Sequence, residues 1–266
     1  MSDVSDWWQT AIIDMEPGRI ALRGHPIQDL IGSVSFPQMI WLMLRGDLPN
    51  AGQAKLLEAA LVAAVDHGPQ APSIAAARMA VTCGLPLNGA LASAVNMLDD
   101  VHGGAGEQAV GLYTQIAKAG LDALPQVVGD WRAANGKYVP GFGHRFHTPT
   151  DPRTPALMQA VERARVEGVC TGEFAQIGQA IERHLAISAG KPIPMNIDGA
   201  TAVIYAELGF PAPLARGLFL LSRSVGILAH AWEQTEQGGR NKGPTPPGYR
   251  WTYTGPSGPA GQSSSE

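Results

Sequence analysis

This sequence is poor in charge, in sulfur and in strand-like alternation, and each shortage removes a class of protein. Asp, Glu, Lys and Arg make up 16% of 266 residues, and the net charge is -4 with no long basic run. Nucleic acid is therefore not an expected partner. So little charge is low for a solvated monomer and leans towards a sizeable interface. Cys83 and Cys170 are the only cysteines. They lack metal-ligand spacing and read as reduced thiols of a cytoplasmic protein. The segment 1–17, with Trp7, Trp8, Asp14 and Glu16, lacks the basic start and apolar run of a signal peptide. The longest apolar stretches contain charges or are too short to span a bilayer, so no membrane is expected. Gly103-Gly104 has no Gly-Lys-Ser/Thr ending and is not a nucleotide phosphate loop. There is no internal repeat.

What is present is helical spacing almost everywhere, and the fold class expected is mainly α. Hydrophobic residues are 45% of the chain, enough for one large core or two unequal domains. Residues 19–26 suit a short strand or extended arm before a turn. Ser35-Phe36-Pro37-Gln38 fits a helix start, with serine as cap, glutamine three residues on and proline in the first turn. That helix should stop at Arg45-Gly46-Asp47-Leu48-Pro49. Further helices are expected over 54–65, 73–82, 87–101, 106–119, 121–134, 154–168, 172–189, 200–208 and 212–234. Met195-Asn196-Ile197-Asp198 reads as short and extended. Beyond Gly238, glycine and proline dominate, and 251–266 is expected to be a flexible tail.

The chain is organised around Lys137-Tyr138-Val139-Pro140-Gly141-Phe142-Gly143-His144-Arg145, continuing to Asp151-Pro152-Arg153. Pro140, Gly141 and Gly143 break any helix, leaving a tight loop with open backbone amides. His144 can polarise or protonate an oxygen near neutral pH. Arg153 can clamp a carboxylate with its planar fork. An ordinary surface loop with incidental charges would look the same. His67, His102 and His144 each stand beside glycine at a helix end, where chemistry is commonly placed. Asp198 closes a short apolar segment before glycine, a position that tends to bury a carboxylate and raise its pKa towards that of a useful base. His184 reads as a partly buried core residue, His230 as structural, and His25 and His147 as surface or turn residues. A metal site built from His67, His102, His144 and Asp198 is conceivable. No pair shows ligand spacing such as His-x-x-x-His, and no metal is expected.

Taken in order, three segments resemble the catalytic segments of the citrate synthase superfamily. They are His102-Gly103-Gly104-Ala105, then Pro140-Gly141-Phe142-Gly143-His144-Arg145 with Asp151-Pro152-Arg153, then Asn196-Ile197-Asp198. Ser222-Arg223-Ser224-Val225-Gly226-Ile227-Leu228-Ala229-His230 resembles that family's substrate-arginine helix. Residues 19–30 and Leu44-Arg45-Gly46-Asp47-Leu48-Pro49 look like its N-terminal motifs. The compact length and Ala64-Val65-Asp66-His67-Gly68-Pro69 are similar to the citryl-CoA lyase module at the C-terminal end of ATP-citrate lyase. His102, however, is present as in the synthases. Where synthases carry an arginine-proline that reaches the neighbouring subunit's site, this chain has Arg240-Asn241-Lys242-Gly243-Pro244.

The resemblance implies a large helical domain, 1–102 with 195–250, and a smaller closing domain, 103–194. It implies a homodimer or a multiple of dimers, packed through antiparallel helices. It implies a CoA thioester as substrate and no tightly bound cofactor. Asp198, His102 and His144 would be catalytic. His67, Arg153 and Arg223 would hold the carboxylates of the four-carbon acid. Val139, Pro140, Gly141, Phe142, Gly143 and Arg145 would meet CoA. The leading expectation is a citryl-CoA lyase that releases acetyl-CoA and oxaloacetate, with a separate citryl-CoA-forming ligase as supplier. A citrate or 2-methylcitrate synthase is the alternative. An inactive acyl-CoA-binding or regulatory family member is the alternative of another class.

Overall fold

A computed structural model describes residues 4–147, 149–241, 246 and 248–256. The mainly α expectation holds. Three short antiparallel strands open the chain: β1 (Ile13–Glu16), β2 (Arg19–Leu22) and β3 (His25–Pro26), in that spatial order, with Ile13 opposite Leu22 and Ala21 opposite Pro26. The β2–β3 turn puts Arg23 and Gly24 at positive φ, as a two-residue hairpin turn requires. Arg23 is held there by its guanidinium, which donates to the Met43 carbonyl at 2.7 and 3.2 Å.

Among the described residues the α-helices that follow are α1 (Ile27–Leu30), α2 (Phe36–Arg45), α3 (Ala51–Ala63), α4 (Pro72–Thr82), α5 (Leu87–Val95), α6 (Ala105–Ala119), α7 (Leu124–Asn135), α8 (Arg153–Val166), α9 (Glu173–Ala189), α10 (Ile197–Glu207) and α11 (Ala212–Gln237). The α2 start is as expected. Ser35 Oγ accepts from the Gln38 amide and Gln38 accepts from the Ser35 amide, and Gly46 closes the helix in the left-handed conformation. The same reciprocal cap, made by Asn50 and Gln53, starts α3 three residues before the predicted position.

The core is built around α10. Ile197 and the run from Gly199 to Ala206 are buried on every side, as a helix apolar all round must be. It packs on α3, α6, α8 and α9, while α11 lies along α4, α5 and α6. Arg45 ties α2 to this centre, donating to the Leu208 carbonyl at 3.0 Å beneath the rings of Trp41 and Phe210.

Three expectations change. The helix predicted over 87–101 ends at Val95, because the chain turns so that the Asp99 amide donates to the His102 carbonyl at 2.9 Å. Met195-Asn196-Ile197-Asp198 is not an extended segment. Only Met195 pairs, with Phe142, and Asn196 caps α10, its Oδ1 accepting from the amides of Asp198 and Gly199. Asp198 is therefore in the first helical turn. Finally, α11 is long and apolar enough to cross a membrane, with a mean hydropathy of 1.3 in its most apolar window. In this fold it is a packed core helix on one face, with Leu218, Phe219, Arg223 and Ile227 buried. Of the Arg240-to-Pro244 segment, Lys242, Gly243 and Pro244 lie outside the described residues, as does most of the predicted tail.

Candidate active site

The loop between α7 and α8 is locked onto the start of α10. The Gly141 carbonyl accepts from the Asn196 amide at 2.9 Å, the Gly143 carbonyl accepts from Asn196 Nδ2 at 2.7 Å, and the Gly143 amide donates to Pro194. Gly141 has positive φ, and a Cβ there would stand 2.6 Å from the Gly199 Cα. Only glycine fits at that contact. The interlock ties the loop that carries His144 to the start of α10, which carries Asp198, from segments more than fifty residues apart.

Two histidines of the site, His144 and His102, have one ring nitrogen already engaged. His144 Nδ1 accepts from the Phe146 and His147 amides, both at 3.0 Å. Neutral His144 therefore carries its proton on Nε2. His102 Nε2 accepts from the Ser73 amide at 3.2 Å, which leaves the proton of neutral His102 on Nδ1. His67 meets His144 edge to face, with ring centroids 5.7 Å apart. His147 stacks on His144 at 4.3 Å, so the structure moves His147 from a surface or turn residue to a neighbour of the site.

The electrostatics favour neutral rings. Burial lowers the pKa of His67, and the Arg223, Arg153 and His144 charges lower it further. Burial and then Arg223 lower His102. Burial and then His147 lower His144. Asp198 is half-buried, and burial raises its pKa against the pull of Arg223 and Arg153. That is the expected direction for a carboxylate poised as a base.

Two arginines complete the ring. Arg153 is gripped by the fully buried Asp151 through Nε at 2.9 Å and Nη2 at 2.7 Å. Burial pushes Asp151 up, but the bonds from Arg153 outweigh it and hold that carboxyl below its ordinary range. Nη1 of Arg153 has no hydrogen-bond partner among the described residues. Arg223 is 4% exposed, donates through Nε to the Ala64 carbonyl at 3.1 Å and lies over the Phe219 ring. Burial lowers its pKa, while Asp198 and Asp66 support the charge. Mutual electrostatic influence thus links the residues read from the sequence as catalytic and carboxylate-binding: His67, His102, His144, Arg153, Asp198 and Arg223.

Beside His144 opens a cavity of about 910 Å³. Val139, Pro140, Gly141, Phe142, Gly143 and Arg145 all line it. Val139 and Phe142 are buried, Phe142 against Tyr113, so their side chains serve the core. The wall also holds Arg132 and Lys191, which the sequence reading missed, and Lys137, which it named as the start of the loop without giving it a role. They come from α7, from beyond α9 and from the loop. Alone, each is an unremarkable basic residue, and the only sequence signal is that Lys137 and Lys191 flank proline- and glycine-rich turns. Among the described residues no three His, Cys, Asp or Glu side chains form a metal-binding group.

Three histidines with lowered pKa values, a half-buried carboxylate and two arginines thus stand within electrostatic reach of one another. The chain matches the family "Citrate synthase, C-terminal domain" over residues 50–243, and it belongs to that family. It is 32% identical over 217 residues to the citrate synthase of Heyndrickxia coagulans, covering 80% of this chain and 54% of that protein. With the citrate synthase of Haloferax volcanii the identity is 30% over 195 residues, 73% of this chain and 50% of the relative. The chain thus spans about half the length of the curated relatives it matches. Among solved structures, citryl-CoA lyase from Hydrogenobacter thermophilus superposes with a TM-score of 0.83 at 31% identity, covering 95% of this chain and 96% of the lyase.

Proposed function

We propose that this protein is an enzyme that breaks and forms the carbon–carbon bond of a citryl-CoA-type thioester, with cleavage to acetyl-CoA and oxaloacetate as its working direction. The observation that carries this is the proton inventory. Asp198 is a carboxylate with raised basicity, and neutral His102 and His144 each turn a single N–H away from the backbone. In cleavage the substrate hydroxyl would lose its proton to solvent, His144 Nε2–H would hydrogen-bond the resulting alkoxide, and the carbon–carbon bond would break. His102 Nδ1–H would stabilise the enolate oxygen as charge develops. Asp198, entering cleavage in the acid form that its raised pKa favours, would give its proton to the enolate carbon and be reprotonated from solvent. Condensation is the same path reversed, with Asp198 as base. His67, Arg153 and Arg223 would hold the substrate carboxylates.

CoA would lie in the 910 Å³ cavity. Arg132, Lys137, Arg145 and Lys191 would meet its phosphates, and the backbone of 139–143 its remaining polar groups. The 103–194 region would close over bound substrates as the smaller domain. The exposed stripe Leu221, Val225, Leu228 and Trp232 on α11 supports a homodimer. Cleavage as the working direction is supported by the likeness to a citryl-CoA lyase over nearly the whole of both chains, and it implies a ligase that supplies citryl-CoA. The names of the sequence relatives favour a second reading, a short citrate synthase, which must also hydrolyse the thioester.

Two assays on the pure protein decide. Fast cleavage of citryl-CoA with no free citrate from acetyl-CoA plus oxaloacetate is the expected result. Free citrate and CoA in quantity would establish the synthase. Neither activity, with CoA still bound, would leave the non-catalytic acyl-CoA binder.

A further inference from the structure

His230 has no part in the chemistry above, yet it sits in a more constrained setting than any other helix-interior histidine of the chain. It lies on α11 with its side chain 18% exposed. Its Nδ1 is 3.1 Å from Arg78 Nη1 on α4, and its Nε2 is 3.2 Å from Asp66 Oδ1. A guanidinium N–H can only donate, so Nδ1 must accept. The proton of neutral His230 is then on Nε2 and is donated to Asp66. Arg78 is itself fixed by Glu233 and Gln237, and Glu233 is the other carboxylate near the imidazole, 3.9 Å from Nδ1.

Asp66 immediately precedes His67, and its second oxygen, Oδ2, accepts from the Gly68 amide at 3.1 Å. One carboxylate therefore ties both ends of the turn that presents His67. The same face of α11 grips the chain leading into that turn. Ser222 donates to the Leu61 carbonyl at 2.5 Å and Arg223 to the Ala64 carbonyl at 3.1 Å. At Gly226 a Cβ would collide with the Val65 carbonyl and come within 3.1 Å of Asp66 Oδ1. Positions 222, 223, 226 and 230 recur at helical spacing, so one stripe of α11 lays down residues 61–66 as a track.

We propose that His230 is a positioning residue for His67. It acts through Asp66 and sets the orientation of the imidazole that faces the substrate carboxylate. The inference rests on the reading of His67 as a carboxylate ligand for its kinetic consequence, but not for its structural one.

The test uses three variants of the full-length protein. In His230→Gln the side-chain amide reaches the Nε2 position and can still donate to Asp66. In His230→Asn it reaches only the Nδ1 position, and in His230→Phe both bonds are lost. The expected kinetic result is a rise of about tenfold in the KM for citryl-CoA in the Phe and Asn variants, the size of effect that about 1.4 kcal/mol of lost binding gives. Binding of CoA alone should be unchanged, and Gln should restore most of the loss. The structural readout is the His67 ring signal in NMR, assigned with His67→Gln. It should shift in the Phe and Asn variants and stay near wild type in Gln. A His67 signal unmoved in His230→Phe overturns the inference whatever the enzyme does, as does an equal effect of Gln and Phe. If the wild type neither turns over nor binds a dicarboxylate, the proposed function fails, and the NMR comparison still decides the role of His230.

Discussion

Gly199→Ala tests the interlock on which the site depends, because two general effects predict opposite signs. Within a helix, alanine is favoured over glycine by about 1 kcal/mol. Gly199 is the third residue of α10, so propensity alone predicts stabilisation. The structure argues the reverse. A Cβ at 199 would collide with the Gly141 carbonyl oxygen and stand 2.8 Å from Met195 Cγ. Neither neighbour can retreat freely. Gly141 is backbone whose oxygen already accepts from the Asn196 amide, and Met195 is 1% exposed. Overpacking of this kind costs about 1–3 kcal/mol, and losing the Asn196–Gly141 bond adds about 1 kcal/mol. Subtracting the propensity gain leaves a net loss of about 1–3 kcal/mol. Denaturant titration measures it, with Gly129→Ala as control. Gly129 lies in α7, and a Cβ added there would meet nothing within 4 Å, so its alanine variant should gain stability. Turnover of Gly199→Ala should fall further than stability does. The displaced loop carries His144, and a shift of about 1 Å in a catalytic group can cost about a hundredfold. A Gly199→Ala protein as stabilised as Gly129→Ala, with normal turnover, would refute the claim that this contact holds the site together.

Asp198→Asn should lower turnover by about 10²–10⁴, the usual worth of a positioned acid or base. It should also alter the pH dependence of stability. Burial raises the Asp198 pKa, so its contribution is full below the ordinary carboxylate range and is lost as pH rises through the raised value. The Asn variant should therefore gain on wild type as pH rises from acid to neutral, and denaturant midpoints across that range check it. The lowered histidines act in the other direction. Stability from His67, His102 and His144 is complete above about pH 6.5 and is lost as pH falls through their depressed values. Activity should likewise persist below that pH before it declines. Lys137→Glu should weaken CoA binding by about tenfold, the effect of one lost charge-assisted bond, with the difference shrinking in high salt, as calorimetry can measure. Arg216 pairs with Asp99, Asp100 and Glu107 around the turn that carries His102. Because those aspartates are largely exposed, Arg216→Ala should cost under about 1 kcal/mol of stability while lowering kcat, and an unchanged kcat would remove that turn's dependence on the ion pairs.

How much of this was legible depended on whether the signal was local. Ser35-Phe36-Pro37-Gln38 reads as a helix start because cap, proline and glutamine act within four residues. Asn50 and Gln53 make the same reciprocal bonds and could have been read the same way. The helix predicted to reach residue 101 overran because Leu98 keeps the apolar register and is indeed buried, although the backbone has already turned. Met195-Asn196-Ile197 looked extended because the apolar residues alternate. The asparagine between them is the cap that starts α10, and its side chain decides the matter. Order and type single out the residues read as catalytic or carboxylate-binding, down to His67 and Arg223, and the fold brings them within electrostatic reach of one another. Their proton positions were not visible, since these depend on the Ser73, Phe146 and His147 amides, which no spacing rule connects to a ring nitrogen. The same holds for His230. As a lone histidine in an apolar helix it carries no message in the sequence. Its place between a guanidinium that can only donate and a carboxylate that can only accept appears once α4, α11 and the 61–68 segment are packed together. Motifs name the groups a site contains, but the packing of the surrounding elements determines which lone pairs and which protons remain free to act.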